Sequence, residues 1–485
     1  MENPSRAPTV VVAAACVLLL LQALPFFQYR WVEDDSWYTI PAYTFMRTGE
    51  LRNPTFADTD AEYHADKRPP LMPLTTALFL RVFGITPAAA RFPQLLAALA
   101  TVFLTFVIGK ELGYAAAGAI AALLTATDTF LFISARTVRP EAWLTFWGAV
   151  GVLLLLKSQR SGSGALALCA GLAAGISICY HVTGLAWVAA LFFLILYDDG
   201  WAALRNRRTY LYAAGVAAAL VPFGLWLLST PEATASMYGR GQQVSWAVKL
   251  SMEWMRIRDF IGVPSQRLLF PVPLPLRLHV GVVIAIAMVL LFRTKRVLFT
   301  RFTILIVPHL VLWLYLVNKT ARYFSILAPL LYLAVGLAVV VACQTGRLRR
   351  AALAICAVCA VSQMVGNALV LVQARKANYP VLQERLRSVI PLGASAYGAI
   401  TFAVALNDRD YSSYDRMTFE YALAKVKPQY VIAGDRVMLH GEGHGEDDKE
   451  SVRSAVVPYV ERYGQLVASL DDPFYGPLRV YRLSY

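Results

Sequence analysis

Residues Pro8-Thr-Val-Val-Val-Ala-Ala-Ala-Cys-Val-Leu-Leu-Leu-Leu-Gln-Ala-Leu-Pro-Phe-Phe27, followed by Gln28-Tyr-Arg-Trp-Val-Glu33-Asp34-Asp35, decide the fold. The first twenty hold no charge. A helix crossing a bilayer needs about 20 mostly apolar residues. Arg6 is the one basic residue ahead of the run, and no clear cleavage site follows it. It therefore reads as a retained helix rather than a signal peptide. The abrupt change to three consecutive acids marks where the chain leaves the membrane.

Working outward, comparable apolar runs recur at roughly 88–109, 114–133, 142–157, 164–180, 182–197, 209–229, 278–293, 302–317, 325–343 and 351–373. With the first run they predict an all-α polytopic membrane bundle of about eleven transmembrane helices. Composition agrees. The 485 residues are 58% hydrophobic and 16% charged, with mean hydropathy +0.52, against about 25% charged in an average soluble chain. The net charge of +14 would point to nucleic acid in a soluble protein. Here it is carried by short loops, so no nucleic-acid partner is expected.

Those loops hold Lys110; Lys157 with Arg160; Arg205, Arg207 and Arg208; Arg293, Lys295, Arg296 and Arg301; and Arg347, Arg349 and Arg350. Basic short loops are cytoplasmic. The N-terminus is then cytoplasmic, and an odd number of spans puts the C-terminal region outside. A cysteine at Ser412 would accordingly meet an impermeant thiol reagent.

The transmembrane domain covers residues 1–375, with long extracytoplasmic loops at 28–91 and 230–277. In the first loop, Pro70 to Phe83 is too short to span and reads as a surface helix. The second carries Trp246 and Trp254 among basic residues and reads the same way. From 376 to 485 the composition turns globular. Gln429 to Gly434 and Pro477 to Leu483 have strand character, while Glu384 to Val389 and Thr418 to Lys427 look helical. A small extracytoplasmic α/β domain follows. All six cysteines fall in apolar segments. They form no disulfide framework, and Cys356-x-x-Cys359 reads as helix packing.

Four polar clusters fall on the outer side. They are Glu33-Asp34-Asp35; His64, Asp66, Lys67 and Arg68; Arg136, Arg139 and Glu141 in a tight turn; and Lys319-Thr-Ala-Arg322-Tyr323. Charges this close to apolar spans are costly unless paired or hydrated, so they are functional candidates. Outward acids suit a general base or a metal. The Lys319/Arg322 pair runs against the positive-inside trend and suits an anionic ligand such as a phosphate. Snorkelling towards headgroups accounts for Arg136 but not for Glu141. His181, at another outer turn, reads first as a structural hydrogen-bonding residue and second as a site residue.

The motifs Asp34-Asp35-Ser-Trp-Tyr, Arg68-Pro-Pro-Leu-Met-Pro, Arg136-Thr-Val-Arg-Pro-Glu-Ala and Lys319-Thr-Ala-Arg-Tyr, with Pro329 beyond, carry a resemblance. In order, spacing and membrane side they resemble the integral-membrane GT-C glycosyltransferases, in the branch of protein O-mannosyltransferases and lipid A aminoarabinose transferases. The likeness spans about residues 10–345. It implies an extracytoplasmic active site, a polyprenyl-phosphate-linked sugar as donor, and an extracytoplasmic acceptor. It also implies roles. Asp34 matches the acid that activates the acceptor hydroxyl, Asp35 the position after it, and Glu141 a second-loop acid. Arg68, Lys319 and Arg322, with Tyr323 beside them, match groups at the donor phosphate. Arg136, Arg139, His181 and His64 are further candidates. The aminoarabinose enzymes have Glu-Lys-Pro-Pro where this chain has Lys67-Arg68-Pro69-Pro70. Metal use therefore stays open, with Asp35, His64 and Asp66 as candidate ligands and no other cofactor indicated.

The same layout would serve a ligase acting on lipid-linked polysaccharide. A transporter or flippase is the reading from another class. Transporters place broken or polar helices near the midplane, often in repeated halves, whereas here the polar residues gather at one face.

Overall fold

The computed structural model describes residues 7–31, 33–51, 53, 69–229, 250–251, 253–254, 277–315, 321–344, 346, 348–374, 377–413, 419–434 and 446–485. The chain opens with α1 (Ala7–Ala23), then α2 (Glu33–Thr48) and α3 (Leu71–Phe83). The bundle continues through α4 (Pro87–Glu111), α5 (Ala115–Thr127), α6 (Thr129–Ala135), α7 (Glu141–Ser161), α8 (Gly164–Tyr180), α9 (Leu185–Asp199) and α10 (Arg207–Ser229). It closes with α11 (Leu278–Thr294), α12 (Arg296–Tyr315), α13 (Ala328–Gln344) and α14 (Arg349–Ala374).

Among the described residues every apolar run expected to span is helical. Among the described residues seven helices are long and apolar enough to cross a membrane by length and composition, and the bent pair α5–α6 adds an eighth. The remaining candidates, α8, α11 and α13, have 17 residues each. One expectation is corrected. Residues 114–133 are not one rod: the helix breaks at Asp128 and turns by 63°. The Asp128 carboxylate caps α6 by accepting from Leu131 N at 2.8 Å, so one acid ends one helix and starts the next.

Helix ends follow local chemistry. Thr86 accepts from Ala89 N, and Pro87 occupies the first turn of α4. The outward faces of α10, α11 and α14 carry Leu225, Ile286, Val361 and Val372, all more than half exposed, as lipid-facing surfaces do. The α8–α10 contact depends on small residues: a Cβ at Gly171 would sit 2.0 Å from Tyr212 O, and one at Gly215 2.1 Å from Leu168 O. Close backbone approach through glycine is a membrane-helix packing device. Helix α3 buries Met72, Thr76 and Leu80, and leaves Leu78, Val82 and Phe83 exposed.

After α14 come α15 (Tyr379–Val389), β1 (Ser395–Gly398), β2 (Asp410–Ser413), β3 (Tyr430–Ala433), α16 (Glu446–Tyr463), β4 (Gly464–Asp472) and β5 (Gly476–Leu483). The sheet order is β2-β1-β3-β5-β4. Its first three strands are parallel, and β5 and β4 add on antiparallel. Of the helix expected over Thr418 to Lys427, Phe419–Tyr421 is α-helical and Ala422–Val426 continues as a π-helix, while Thr418 lies outside the described residues. The domain does not stand apart. Trp31, Trp37, Met72 and Leu80 share one apolar core with Leu382, Ile432 and Val480.

Candidate functional site

At the end of the bundle that faces this domain, Asp35 is fully buried in the first turn of α2. Its Oδ2 lies 2.6 Å from Arg91 Nη2 of α4, and its Oδ1 accepts from Val138 N at 2.5 Å. Arg91 also donates to the carbonyls of Phe26, Tyr29 and Arg30 at 2.8–2.9 Å, and its guanidinium stacks on the Trp31 ring. One arginine thus gathers the chain between α1 and α2. Val138 belongs to the α6–α7 turn, so Asp35 ties the first polar cluster to the third.

In that turn Arg139 Nε lies 2.9 Å from Glu141 Oε1, and Glu141 is completely buried at the start of α7. Arg139 thus gives the buried Glu141 carboxylate a counter-charge and two hydrogen bonds. Arg136 lies 4.2 Å from the Phe26 ring centroid and 5.0 Å from that of Phe132. A cation held between aromatic faces is stabilised by their quadrupoles.

The fourth cluster reaches the same place. Ser325 Oγ accepts from Ser134 Oγ at 3.3 Å, and its carbonyl accepts from Thr145 Oγ1 at 3.4 Å. This seats the short helix Ala321–Ile326 against α6 and α7. Tyr323, buried, meets the His181 ring with centroids 5.9 Å apart. His181 Nδ1 lies 2.9 Å from Thr183 Oγ1, so the histidine does shape its own turn. Tyr180 and Thr75 hydroxyls lie 2.8 Å apart, which brings α3 to this end.

Asp35, Arg136, Arg139, Glu141, His181 and Tyr323 therefore sit on elements that converge at one end of the bundle. His64, Asp66, Lys67, Arg68 and Lys319, and the side chains of Asp34 and Arg322, lie outside the described residues. Among the described residues no group of three or more His, Cys, Asp or Glu side chains is arranged to hold a metal ion. Trp246 also lies outside them, and Trp254 is exposed.

Two features escaped the sequence reading. Arg91 looked like the edge of a loop, although a lone charge opening an apolar run signals a buried partner. Arg277, an unremarkable outer arginine by sequence, is 2% exposed and pairs with Asp128 at 2.5 Å. Asp128 also accepts from Tyr332 Oη at 2.8 Å. A single acid inside residues 114–133 was the available signal.

Between α9 and α12 an apolar groove of about 830 Å³ runs along the bundle, lined by Ala189, Phe193, Tyr197, Trp201, Val307 and Leu312. It starts at Leu185, four residues beyond His181.

Such an arrangement, an apolar helical bundle with polar groups gathered at one end and an α/β domain packed there against α2 and α3, defines a class of architecture. Residues 67–226 match the family described as dolichyl-phosphate-mannose-protein mannosyltransferase. The crystal structure of ArnT from Cupriavidus metallidurans bound to undecaprenyl phosphate superposes with TM-score 0.69 at 15% identity, covering 99% of this chain and 98% of that one. The Archaeoglobus fulgidus oligosaccharyltransferase tethered to an acceptor peptide follows at TM-score 0.61 and 14% identity, covering 99% and 74%. A Bacillus subtilis (strain 168) protein named "Putative mannosyltransferase YycA" is 28% identical over 152 residues, 31% of this chain. That match spans only 22% of the Bacillus protein's length. The chain has the fold seen in ArnT, in line with the GT-C resemblance of its motifs.

Proposed function

We propose that this protein is a membrane glycosyltransferase that moves a sugar from a polyprenyl-phosphate donor to a hydroxyl of an extracytoplasmic lipid, glycan or protein. The observation that carries this reading is the convergence of the acidic first loop, the Arg139/Glu141 turn and the Ala321–Ile326 segment at one end of the bundle. In its support, the matched family is named for a dolichyl-phosphate sugar, and the superposed ArnT holds undecaprenyl phosphate.

In the reaction the acceptor oxygen attacks the anomeric carbon, and the bond from that carbon to the phosphate oxygen breaks. The acceptor proton passes to the Asp34 carboxylate, because a hydroxyl is a poor nucleophile at neutral pH without a base in reach. Polyprenyl phosphate leaves with added negative charge. Arg68, Lys319 and Arg322 stabilise that charge in a partly dry site, with Tyr323 beside them. Asp35 holds α2 in place through Arg91, and Glu141 orients Arg139. Arg136 and His181 line the same end. The groove between α9 and α12 offers an apolar bed for the polyprenyl chain. With the N-terminus cytoplasmic, the site and the C-terminal domain face outside.

The test is sugar transfer in proteoliposomes, using polyprenyl-phosphate sugars and envelope acceptors, with and without a donor gradient across the bilayer. Release of polyprenyl phosphate independent of the gradient supports transfer. Movement of intact donor down the gradient, with no release, would replace this reading by the flippase.

A further inference from the structure

Residues Gln28–Trp31 form the bridge between α1 and α2, and Asp34 follows three residues later. Each backbone carbonyl in this bridge has a partner from elsewhere in the fold. Gln28 O accepts from Tyr379 N at 2.9 Å. The Tyr29 and Arg30 carbonyls accept from Arg91 below. Trp31 O accepts from Tyr475 Oη at 2.6 Å. Arg30 N donates to Ala377 O at 3.1 Å, which completes an antiparallel bridge between Tyr29 and Asn378.

Side chains reinforce this from above. The Asp472 carboxylate pairs with the Arg30 guanidinium, with 2% and 4% of the side chains exposed. Asp472 Oδ1 meanwhile accepts from Phe474 N and Tyr475 N at 2.9 Å, which shapes the β4–β5 turn. That turn presents the Tyr475 hydroxyl to Trp31. Burial raises the Tyr475 pKa well above the ordinary phenol value, so the hydroxyl stays a donor. The Trp31 ring meets Tyr379 edge-on at 5.7 Å between centroids.

From this geometry we infer that the C-terminal domain is a positioning device for the catalytic end of α2, with Asp472, Tyr475 and Arg30 as its positioning residues. The inference rests on the proposed role of Asp34. The physical reason is tolerance. A general base acts only within hydrogen-bond reach of its proton, and misplacement by about 1 Å costs about 10²-fold in rate. A helix that starts at the membrane surface, next to a long loop, gains that precision only if its leading residues are held from both sides. Arg91 holds them from the membrane side and the β4–β5 turn from the other.

The experiment compares Tyr475→Phe, Arg30→Met and Arg30→Lys with wild type and with Arg479→Ala, an exposed control on β5. Three quantities are read: turnover in the transfer assay, undecaprenyl phosphate affinity, and amide exchange over residues 33–40. Tyr475→Phe removes one hydroxyl and leaves the packing. Turnover should fall about 10- to 100-fold in Tyr475→Phe and Arg30→Met. Affinity for undecaprenyl phosphate should stay near wild type in both, and exchange should rise over 33–40. The unfolding temperature should stay near wild type in Tyr475→Phe and fall in Arg30→Met, which leaves the Asp472 carboxylate buried without its counter-charge. Arg30→Lys should restore most of the turnover, and Arg479→Ala should match wild type. Wild-type turnover in Tyr475→Phe and Arg30→Met would overturn the inference. So would a joint fall of turnover, lipid affinity and unfolding temperature in Tyr475→Phe, which marks a purely structural role. If the wild type transfers no lipid-linked sugar, the functional reading fails instead. The exchange measurement then still decides the clamp, and unchanged protection over 33–40 refutes it.

Discussion

Arg91 Nη2 and Asp35 Oδ2 lie 2.6 Å apart, with 1% and 0% of their side chains exposed. Removing one partner of such a pair leaves a buried charge without its counterion, at a cost of about 3–5 kcal/mol. Arg91→Leu should therefore lower the unfolding temperature markedly in detergent and abolish transfer. Asp35→Asn keeps an acceptor for Val138 N and should destabilise less. Equal melting of Arg91→Leu and wild type would show that the pair does not hold the first loop.

Asp34 stands one residue earlier and should behave differently. Asp34→Asn should lose about 10²–10⁴-fold in transfer, the usual cost of deleting a general base, while melting like wild type. The contrast between neighbours is the measurement: Asp35 variants lose stability, Asp34 variants lose turnover. Full turnover in Asp34→Asn would move the base to another acid.

Arg322 and Lys319 are three residues apart, a spacing that puts two side chains on one face if the segment is helical. Arg322→Ala should weaken undecaprenyl phosphate binding, and Arg322→Lys should recover it only partly, because the bidentate fork is lost. The control is Arg81→Ala, an exposed arginine in the last turn of α3. Arg277, an outer-loop arginine by sequence, is unsuitable, since it is buried against Asp128. Equal, small losses at Arg322 and Arg81 would mean headgroup contact only.

The Asp128–Arg277 pair makes its own prediction. Arg277→Ala alone should destabilise by about 3–5 kcal/mol, whereas Asp128→Leu with Arg277→Met should recover much of that loss, since a buried ion pair is replaceable by apolar groups of similar size. Thermal unfolding of the two singles and the double gives the coupling. Additive losses would show that the pair is not coupled.

Orientation is read by labelling. Ser412, chosen on sequence grounds, is only 4% exposed on β2, so a cysteine there would stay silent for the wrong reason. Leu392 is 74% exposed in the same domain. In a background lacking the native cysteines, Leu392→Cys should react with an impermeant thiol reagent in intact cells, or in spheroplasts where an outer membrane blocks access. Labelling only after lysis would place the domain in the cytoplasm.

The sequence by itself determined the solvent and the element type. An uncharged run such as Pro8 to Phe27 has no soluble alternative, because its backbone must satisfy its own hydrogen bonds in lipid. The strands at Gln429 and Pro477 were legible for a similar local reason. Only the tertiary structure decided which of the described charges are fastenings. Asp34 and Asp35 are adjacent and chemically identical in sequence. Asp35 is consumed by Arg91, 56 residues away, and by Val138, 103 residues away. Arg30 finds Asp472 across 442 residues. Ion pairs of that reach leave no local periodicity, since they form where helices chosen by hydrophobicity bring their ends together. The 63° break at Asp128 was hidden likewise. A hydropathy window averages over one acid, and the partner that makes it affordable, Arg277, lies 149 residues away.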